Sequence, residues 1–391
     1  MIVLDSRWIT DTPSGIGVYT REMLARLPRL APDLRFHALF RAEEFREAAW
    51  RDCALDGLPN LTASIVPYGP FSPKGQWGLP PLLRRLGATL FHSPNYLVPY
   101  LSFPRLPRPG RRCIANIHDI IPLVVPDYAP SSRTSRLKAV YRLCLRETLR
   151  RATVITGSEA TRRDLVSALR LPPGLAAHIH VVFDGADAPG GGAGAPVAER
   201  RPRAEGETRT LLYVGRIDPY KNVPLLVEAL REIRALCPFP VRLRVVGPKD
   251  PRYPEAERRA AELGLGEAAE FTGFVTSEQL AEAYRTADLL THPSSYEGFG
   301  LQLVEAMRAG LPVLCTDGGS QPEVVGDAAV VVPRNDVHAF AKAAADLLRD
   351  PARLDDLRRR GLARAPRFSW DRTAAETLAV YRSALPAAPK P

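Results

Sequence analysis

Two α/β domains, each a parallel sheet covered by helices on both faces, are predicted by three features of this sequence. Its 391 residues are too many for one compact core. Strand-like runs alternate with helical or proline-rich segments along nearly the whole chain, the pattern of a parallel sheet. Between Asp184 and Glu207 the composition changes abruptly: GADAPGGGAGAP is followed by the charged run ERRPRAEGE, a stretch that cannot bury a core and reads as a linker. The expected division is a first domain over 1–184, a flexible linker over 185–207 and a second domain over 208–368. Residues 369–391 form a last segment, a helix followed by the tail PAAPKP, which is expected to be disordered.

Bulk properties narrow the class. Hydrophobic residues make up 45% and charged residues 25%, ordinary values for a soluble globular protein. No apolar run reaches the roughly 20 residues that span a bilayer. Met1 leads directly into Ile2-Val3-Leu4 without a basic leader, so no secretory signal is expected. Five scattered cysteines, an odd number set mostly in apolar runs, suit a reducing compartment, and a cytoplasmic location is expected. The net charge of +10 would suit anionic membranes or nucleic acid, but no nucleic-acid-binding module is recognisable and none is expected as a partner.

In the first domain Ile2–Asp5 reads as a strand. Ser14-Gly15-Ile16-Gly17-Val18-Tyr19-Thr20 then turns into a helix reaching about Leu30, with Thr20 where a dinucleotide fingerprint would have its third glycine. Strand-like runs follow at Arg35–Phe40, Leu61–Val66, Leu90–His92 and Cys113–Ile117. The last ends in His118-Asp119, at the carboxyl end of a strand, where open α/β sheets place ligands. His92 also ends a strand and is read as structural. From Ser131 to Arg151 one face is apolar, while Lys138, Arg142, Arg146 and Arg150 form a separate stripe: a solvated face, or a dock for anionic lipid heads to which RLPRPGRR (residues 105–112) would add. Ser158 suits a helix N-cap. His178 and His180 alternate on a strand without further ligands, so no metal site is expected there.

The second domain opens with the strand Thr210–Val214, and Arg216 and Lys221 emerge beyond its end, before the helix Val223–Ile233. A lysine at a helix N-terminus is on the wrong end for the helix dipole, which makes sense if an anion sits there. The stretch from Ser294 to Pro312, SSYEGFGLQLVEAMRAGLP, combines a strand end, a glycine turn and a helix, the ingredients of an anion site, with Gly298, Phe299, Gly300 and Leu301 offering main-chain N–H groups. Glu297 in the turn would repel a phosphate and should face sugar hydroxyls beside it. Glu305, on the second turn of the helix, suits hydrogen bonds from a ribose. Together these features read as a nucleotide-sugar site.

The Glu-x7-Glu pattern of EGFGLQLVE, followed by GLPVLCTDGGSQPEVVGDAAVVVP, resembles the retaining glycosyltransferases of family 4, and further landmarks follow in order over nearly the whole chain. The resemblance implies the GT-B fold, two Rossmann-like domains facing a cleft, with the last helix returning to the first domain. It implies that Gly15 and Gly17 lie against the donor diphosphate and the acceptor. His118 would contact the transferred sugar, with Asp119 holding its imidazole, and Arg216 and Lys221 would grip the diphosphate. Gly273, Phe274 and Val275 would hold the base. IHDIIPLVVP and Asn222 look most like bacterial mannosyltransferases of surface-polysaccharide assembly, which points to GDP-mannose and a lipid-linked glycan acceptor.

The expected reaction is a retaining glycosyl transfer with His118, Arg216, Lys221 and Glu297 as its principal side chains. The leaving phosphate would take the acceptor proton on the same face, so the paired carboxylates need not act as a hydrolase's acid and nucleophile. No Asp-x-Asp is present, in keeping with an expected independence of metal and of any cofactor besides the sugar nucleotide. A GT-B sugar-nucleotide epimerase would share the fold but use a single substrate. A nicotinamide dehydrogenase would need a fuller glycine fingerprint, and a nucleic-acid-binding protein is suggested by charge alone.

Overall fold

The computed structural model describes residues 1–11, 14–103, 105, 112–125, 128, 137–187 and 203–385. The chain divides into two compact units, one of residues 1–120, 137–184 and 370–391, the other of residues 121–136 and 185–369. The divisions fall after 184 and after 369, against expected boundaries after 184 and after 368, and residues 121–136 group with the second unit. Residues 188–202 of the glycine-rich stretch and the tail from 386 lie outside the described residues. The charged end of that stretch is docked: Arg203 donates to Asp288 (2.7 Å) and to Glu207 (2.8 Å) within the second unit.

The first unit is built on seven parallel strands, β1 (Ile2–Leu4), β2 (Phe36–Phe40), β3 (Leu61–Ile65), β4 (Leu90–Ser93), β5 (Arg112–Asn116), β6 (Thr153–Thr156) and β7 (Ile179–Val181), in the order β3-β2-β1-β4-β5-β6-β7. Alternate residues serve opposite faces. Ile2, Leu4, Phe36, Ala38, Phe40 and Ile114 join one core cluster, while Val3, Leu39, Phe91, Cys113 and Ala115 join another. Burial on both faces is why these strands read as continuous apolar runs. The helix Gly15–Leu30 starts on Ser14, whose Oγ accepts from Gly17 N at 3.0 Å, and buries Tyr19, Met23, Leu24 and Leu27 at helical spacing. Ser158 caps the helix Glu159–Leu169 by accepting from Thr161 N, as its position suggested. The last helix, Trp370–Ala384, belongs to this unit and packs Trp370, Ala374, Leu378 and Tyr381 into the first core.

The basic stripe is not simply solvated. On the helix Lys138–Leu149, Arg142 and Arg146 reach the carbonyls of Ala168 and Leu169. They satisfy the C-terminus of the neighbouring helix, where the dipole favours cations. Arg105, Arg150 and Arg151 all donate to Glu147, holding that carboxyl well below the carboxylate range at about 2 against the burial that opposes it. Residues 131–136 and 106–111 of the two basic segments lie outside the described residues. No helix among the described residues is long and apolar enough to cross a membrane.

The second unit has six parallel strands, β8 (Arg209–Val214), β9 (Val241–Val246), β10 (Ala269–Gly273), β11 (Leu289–His292), β12 (Val313–Thr316) and β13 (Ala329–Val332), in the order β10-β9-β8-β11-β12-β13. The order reverses between β8 and β11, and in open α/β sheets such a reversal opens a crevice beyond the carboxyl ends. In the first unit the corresponding reversal falls between β1 and β4.

Candidate active site

The loops leaving β8 and β11, the two strands at the reversal, bring Lys221 and Glu297 together. After β8 the chain passes through Gly215 and a short helical turn, Pro219–Lys221, before Asn222 adopts a left-handed conformation (φ 57°) and opens the helix Val223–Leu236. Lys221 Nζ lies 2.7 Å from Glu297 Oε1 and 3.0 Å from Oε2. Both side chains are nearly inaccessible, at 10% and 7% exposure, so the pair is largely desolvated. Burial alone would favour the neutral forms, but the Lys221 charge and a hydrogen bond from His292 hold the Glu297 carboxyl far below its ordinary range. Against the same burial, the Glu297 carboxylate raises the Lys221 ammonium.

The turn that carries Glu297 is buttressed by the segment that follows β12, at the start of the helix Gln321–Val325. Ser320 Oγ donates to the Glu297 and Phe299 carbonyls, and Gln321 Nε2 reaches Ser294 O at 2.9 Å. Gly319 (φ +66°) bridges to Glu297 so closely that a Cβ there would stand 2.3 Å from the Glu297 carbonyl oxygen. At the front, Asn335 Oδ1 accepts from Asn222 Nδ2 and Ser295 Oγ, each at 3.1 Å, tying the Lys221 loop to the Glu297 loop. Gly300 (φ +88°) then starts the helix Leu301–Arg308.

Arg216 behaves differently from its expected partner. Its side chain is 62% exposed and grips Asp218 through Nε (2.8 Å) and Nη2 (3.1 Å). Each of the two cations is therefore held by a carboxylate of its own, and the four side chains carry no net charge. An anion bound here shares these cations with the carboxylates. Glu305 is also partly committed, its Oε2 accepting from the Tyr284 hydroxyl at 2.6 Å, with burial raising its carboxyl. The Phe299 ring is buried edge-on to Phe368 at 5.7 Å, so it offers a ligand main chain and not side chain. Gly298 and Leu301 flank it in the turn and at the helix start. Gly273 (φ +73°) ends β10, Phe274 beyond it is 79% exposed, and Val275 is half-buried.

In the first unit His118 follows β5 and donates from Nε2 to the Pro94 carbonyl at 3.1 Å. Its other nitrogen lies 3.7 Å from Asp184 Oδ2, and the Tyr19 ring stands edge-on at 5.3 Å. Burial disfavours the charged ring, but Asp184 outweighs it and raises the His118 pKa, with Asp119 a lesser charge. The carboxylate that orients His118 is thus Asp184, 66 positions away, and not the adjacent Asp119. Gly17 is explained by the chain itself, since a Cβ there would meet Trp8 O at 3.0 Å, whereas a Cβ at Gly15 would meet nothing within 4 Å among the described residues. His92 is buried between Tyr381 and Asn116, a satisfied structural histidine.

The His118–Asp184 pair has a pH signature. Because the folded pKa is raised, its stabilisation is complete below the unfolded value of 6.5 and is lost as pH rises through the folded value. Asp184→Asn should therefore lower the Tm relative to wild type at about pH 5.5 and much less at about pH 8.5. A difference that does not change with pH would remove the ion pair.

Comparison with known proteins fits this geometry. Residues 13–188 match the description "Glycosyltransferase Family 4" and residues 197–364 match "Glycosyl transferases group 1". A D-inositol 3-phosphate glycosyltransferase of Acidothermus cellulolyticus is 30% identical over 362 residues, covering 89% of this chain and 70% of that protein. The chain belongs to glycosyltransferase family 4. This family 4 enzyme, a hexosyltransferase, is also 29% identical over 392 residues to the O-antigen chain mannosyltransferase B of Escherichia coli, covering 94% of this chain and 96% of that one. Among solved structures, sucrose-phosphate synthase from Thermosynechococcus elongatus superposes with a TM-score of 0.71 at 22% identity, covering 98% of each chain, which establishes the GT-B fold.

The sequence marked the places of His118, Lys221, Glu297 and Glu305. The structure adds the partners that hold these side chains or their loops: Asp184, Tyr284, His292, Ser320, Gln321 and Asn335. His292 alone carried a signal, as the last residue of a strand at the reversal.

Proposed function

We propose that this family 4 glycosyltransferase moves mannose from GDP-mannose, with retention of anomeric configuration, onto a hydroxyl of a growing, lipid-linked surface glycan. The observation that carries the reading is the buried Lys221–Glu297 pair at the β8/β11 reversal, beside the N-terminus of the Leu301–Arg308 helix. Leaving-group charge and sugar hydroxyls need those two functions side by side. The choice of mannose follows the name of the Escherichia coli relative, which matches along almost its entire length.

In this reading the bond between the anomeric carbon and the diphosphate oxygen breaks as the acceptor oxygen bonds to the same face. The acceptor proton passes to the departing phosphate. Negative charge grows on the diphosphate, where Lys221, Arg216 and the main-chain N–H groups of the helix start meet it. Removing one such donor typically costs on the order of a hundred- to a thousandfold in rate. Glu297 accepts from hydroxyls of the sugar, Glu305 from the ribose, and the exposed Phe274 ring stacks on the base. His118 contacts the transferred sugar. With cations in these places and no Asp-x-Asp in the chain, transfer needs no metal. Peripheral contact with an anionic inner membrane surface would fall to Lys138 and the exposed Leu137, Val140 and Leu143, since Arg142 and Arg146 are occupied.

A panel of nucleotide sugars tested for protection against thermal unfolding, in EDTA, checks the donor. A ligand at a hundred times its Kd stabilises by about 2.7 kcal/mol, so GDP-mannose should raise the Tm by several degrees and UDP-sugars should not. Protection by a UDP-sugar alone, or only after metal is restored, would overturn the donor or the metal assignment. Transfer assays with the protecting donor should include inositol 3-phosphate among the acceptors, because the Acidothermus relative is named for it.

A further inference from the structure

His292 closes β11, is wholly buried, and has no task in the reaction as set out above. Its Nε2 lies 2.8 Å from Glu297 Oε1 and 3.3 Å from Ser294 Oγ, and its ring lies within 17° of parallel to Tyr213. Among the described residues its Nδ1 has no hydrogen-bond partner. An ionised carboxylate can only accept, so Nε2 is the nitrogen that carries the proton.

The consequence for Glu297 is an asymmetry between its two oxygens. Oε1 takes both the Lys221 ammonium and the His292 N–H, while among the described residues Oε2 takes the ammonium alone, at 3.0 Å. The carboxylate cannot rotate without breaking a desolvated, charge-assisted bond. We propose that His292 is a positioning residue for glycosyl transfer: by occupying Oε1 it fixes the Glu297 carboxylate and leaves Oε2 as the oxygen that receives a hydroxyl of the transferred sugar. This rests on the reading of Glu297 as the sugar-facing acid. His292 acts through Glu297 and touches no reacting atom.

Three substitutions separate positioning from simple packing. Gln carries an amide nitrogen at about the reach of Nε2, Asn carries one at the reach of Nδ1, and Phe fills the ring's space without a donor. His292→Gln should keep kcat within about threefold of wild type. His292→Asn and His292→Phe should lower kcat by about thirtyfold or more while changing the donor KM less than threefold, with circular dichroism and Tm near wild type. A role in packing alone predicts the reverse order, with Phe the mildest, and that order would overturn the proposal. Should the Phe variant fail to fold, nitrogen-15 NMR of the wild-type histidines, assigned by the signal lost in His292→Gln, reads the tautomer directly. A proton on Nε2 with Nδ1 bare supports the hydrogen bond, and a proton on Nδ1 with Nε2 bare removes it. If the wild-type protein transfers no sugar from any donor, the functional reading falls, while the NMR result still decides the contact.

Discussion

Lys221→Ala should lower kcat/KM by about a hundred- to a thousandfold and destabilise the protein by about 3–5 kcal/mol. Two separate losses produce that result. The leaving diphosphate loses an ammonium whose place is fixed by Glu297 on one side and by the Tyr220 ring, 5.2 Å from Nζ, on the other. Glu297, with 7% of its side chain exposed, loses the charge that offsets its desolvation. The double variant Lys221→Ala/Glu297→Gln removes the uncompensated charge, so it should recover most of the stability and none of the activity. Denaturant unfolding and initial rates on the two variants test this together. A Lys221→Ala protein with wild-type turnover would falsify the assignment of Lys221 to the leaving group. Equal stability in the single and double variants would show that the pair is not desolvated in solution.

The second large effect belongs to a residue with no side chain. Gly319→Ala should destabilise by about 3 kcal/mol and lower turnover by at least tenfold, although residue 319 touches no substrate in the proposed reaction. The new Cβ would stand 2.3 Å from the carbonyl oxygen and 2.9 Å from the amide nitrogen of Glu297, and both are backbone atoms. Alanine also pays for the left-handed backbone at φ +66°. The turn must shift, and with it the carboxylate that meets Lys221. Gly264, also left-handed at φ +62° but with open space around its Cβ position, is the control. Gly264→Ala should cost about 1 kcal/mol and leave turnover unchanged. If the two alanine variants lose the same activity, the buttress does not set the position of Glu297.

How far the sequence could be read depended on whether a feature was local. The alternation of buried strands and helices and the strand–turn–helix around Glu297 are patterns over a few residues, and each is present in the structure. The partners of the site residues are not local. Glu297 meets Lys221 across 76 positions, and His118 meets Asp184 across 66, so nothing in either neighbourhood announced the pairing. Adjacency misled in the second case, because Asp119 follows His118 directly yet the nearer carboxylate comes from beyond β7. Arg216 and Lys221 looked like a matched pair of cations, yet they pair with different carboxylates, Arg216 with Asp218 two residues on and Lys221 with Glu297. Gly318 and Gly319 carry no side chain to mark a role, and only their closeness to Ser295 and Glu297 shows them bracing the turn from behind.

The last helix bears on how the protein is made. Trp370, Ala374, Leu378, Val380 and Tyr381 complete a core whose other buried members lie between Ile2 and Val182, so the amino-terminal half cannot finish folding until the segment that carries them has left the ribosome. The unit synthesised second has its whole sheet in hand by Val332 and is free to fold first. Until that segment emerges, the half made earliest waits with part of its apolar surface bare, and it is there that a nascent chain of this enzyme most needs a chaperone.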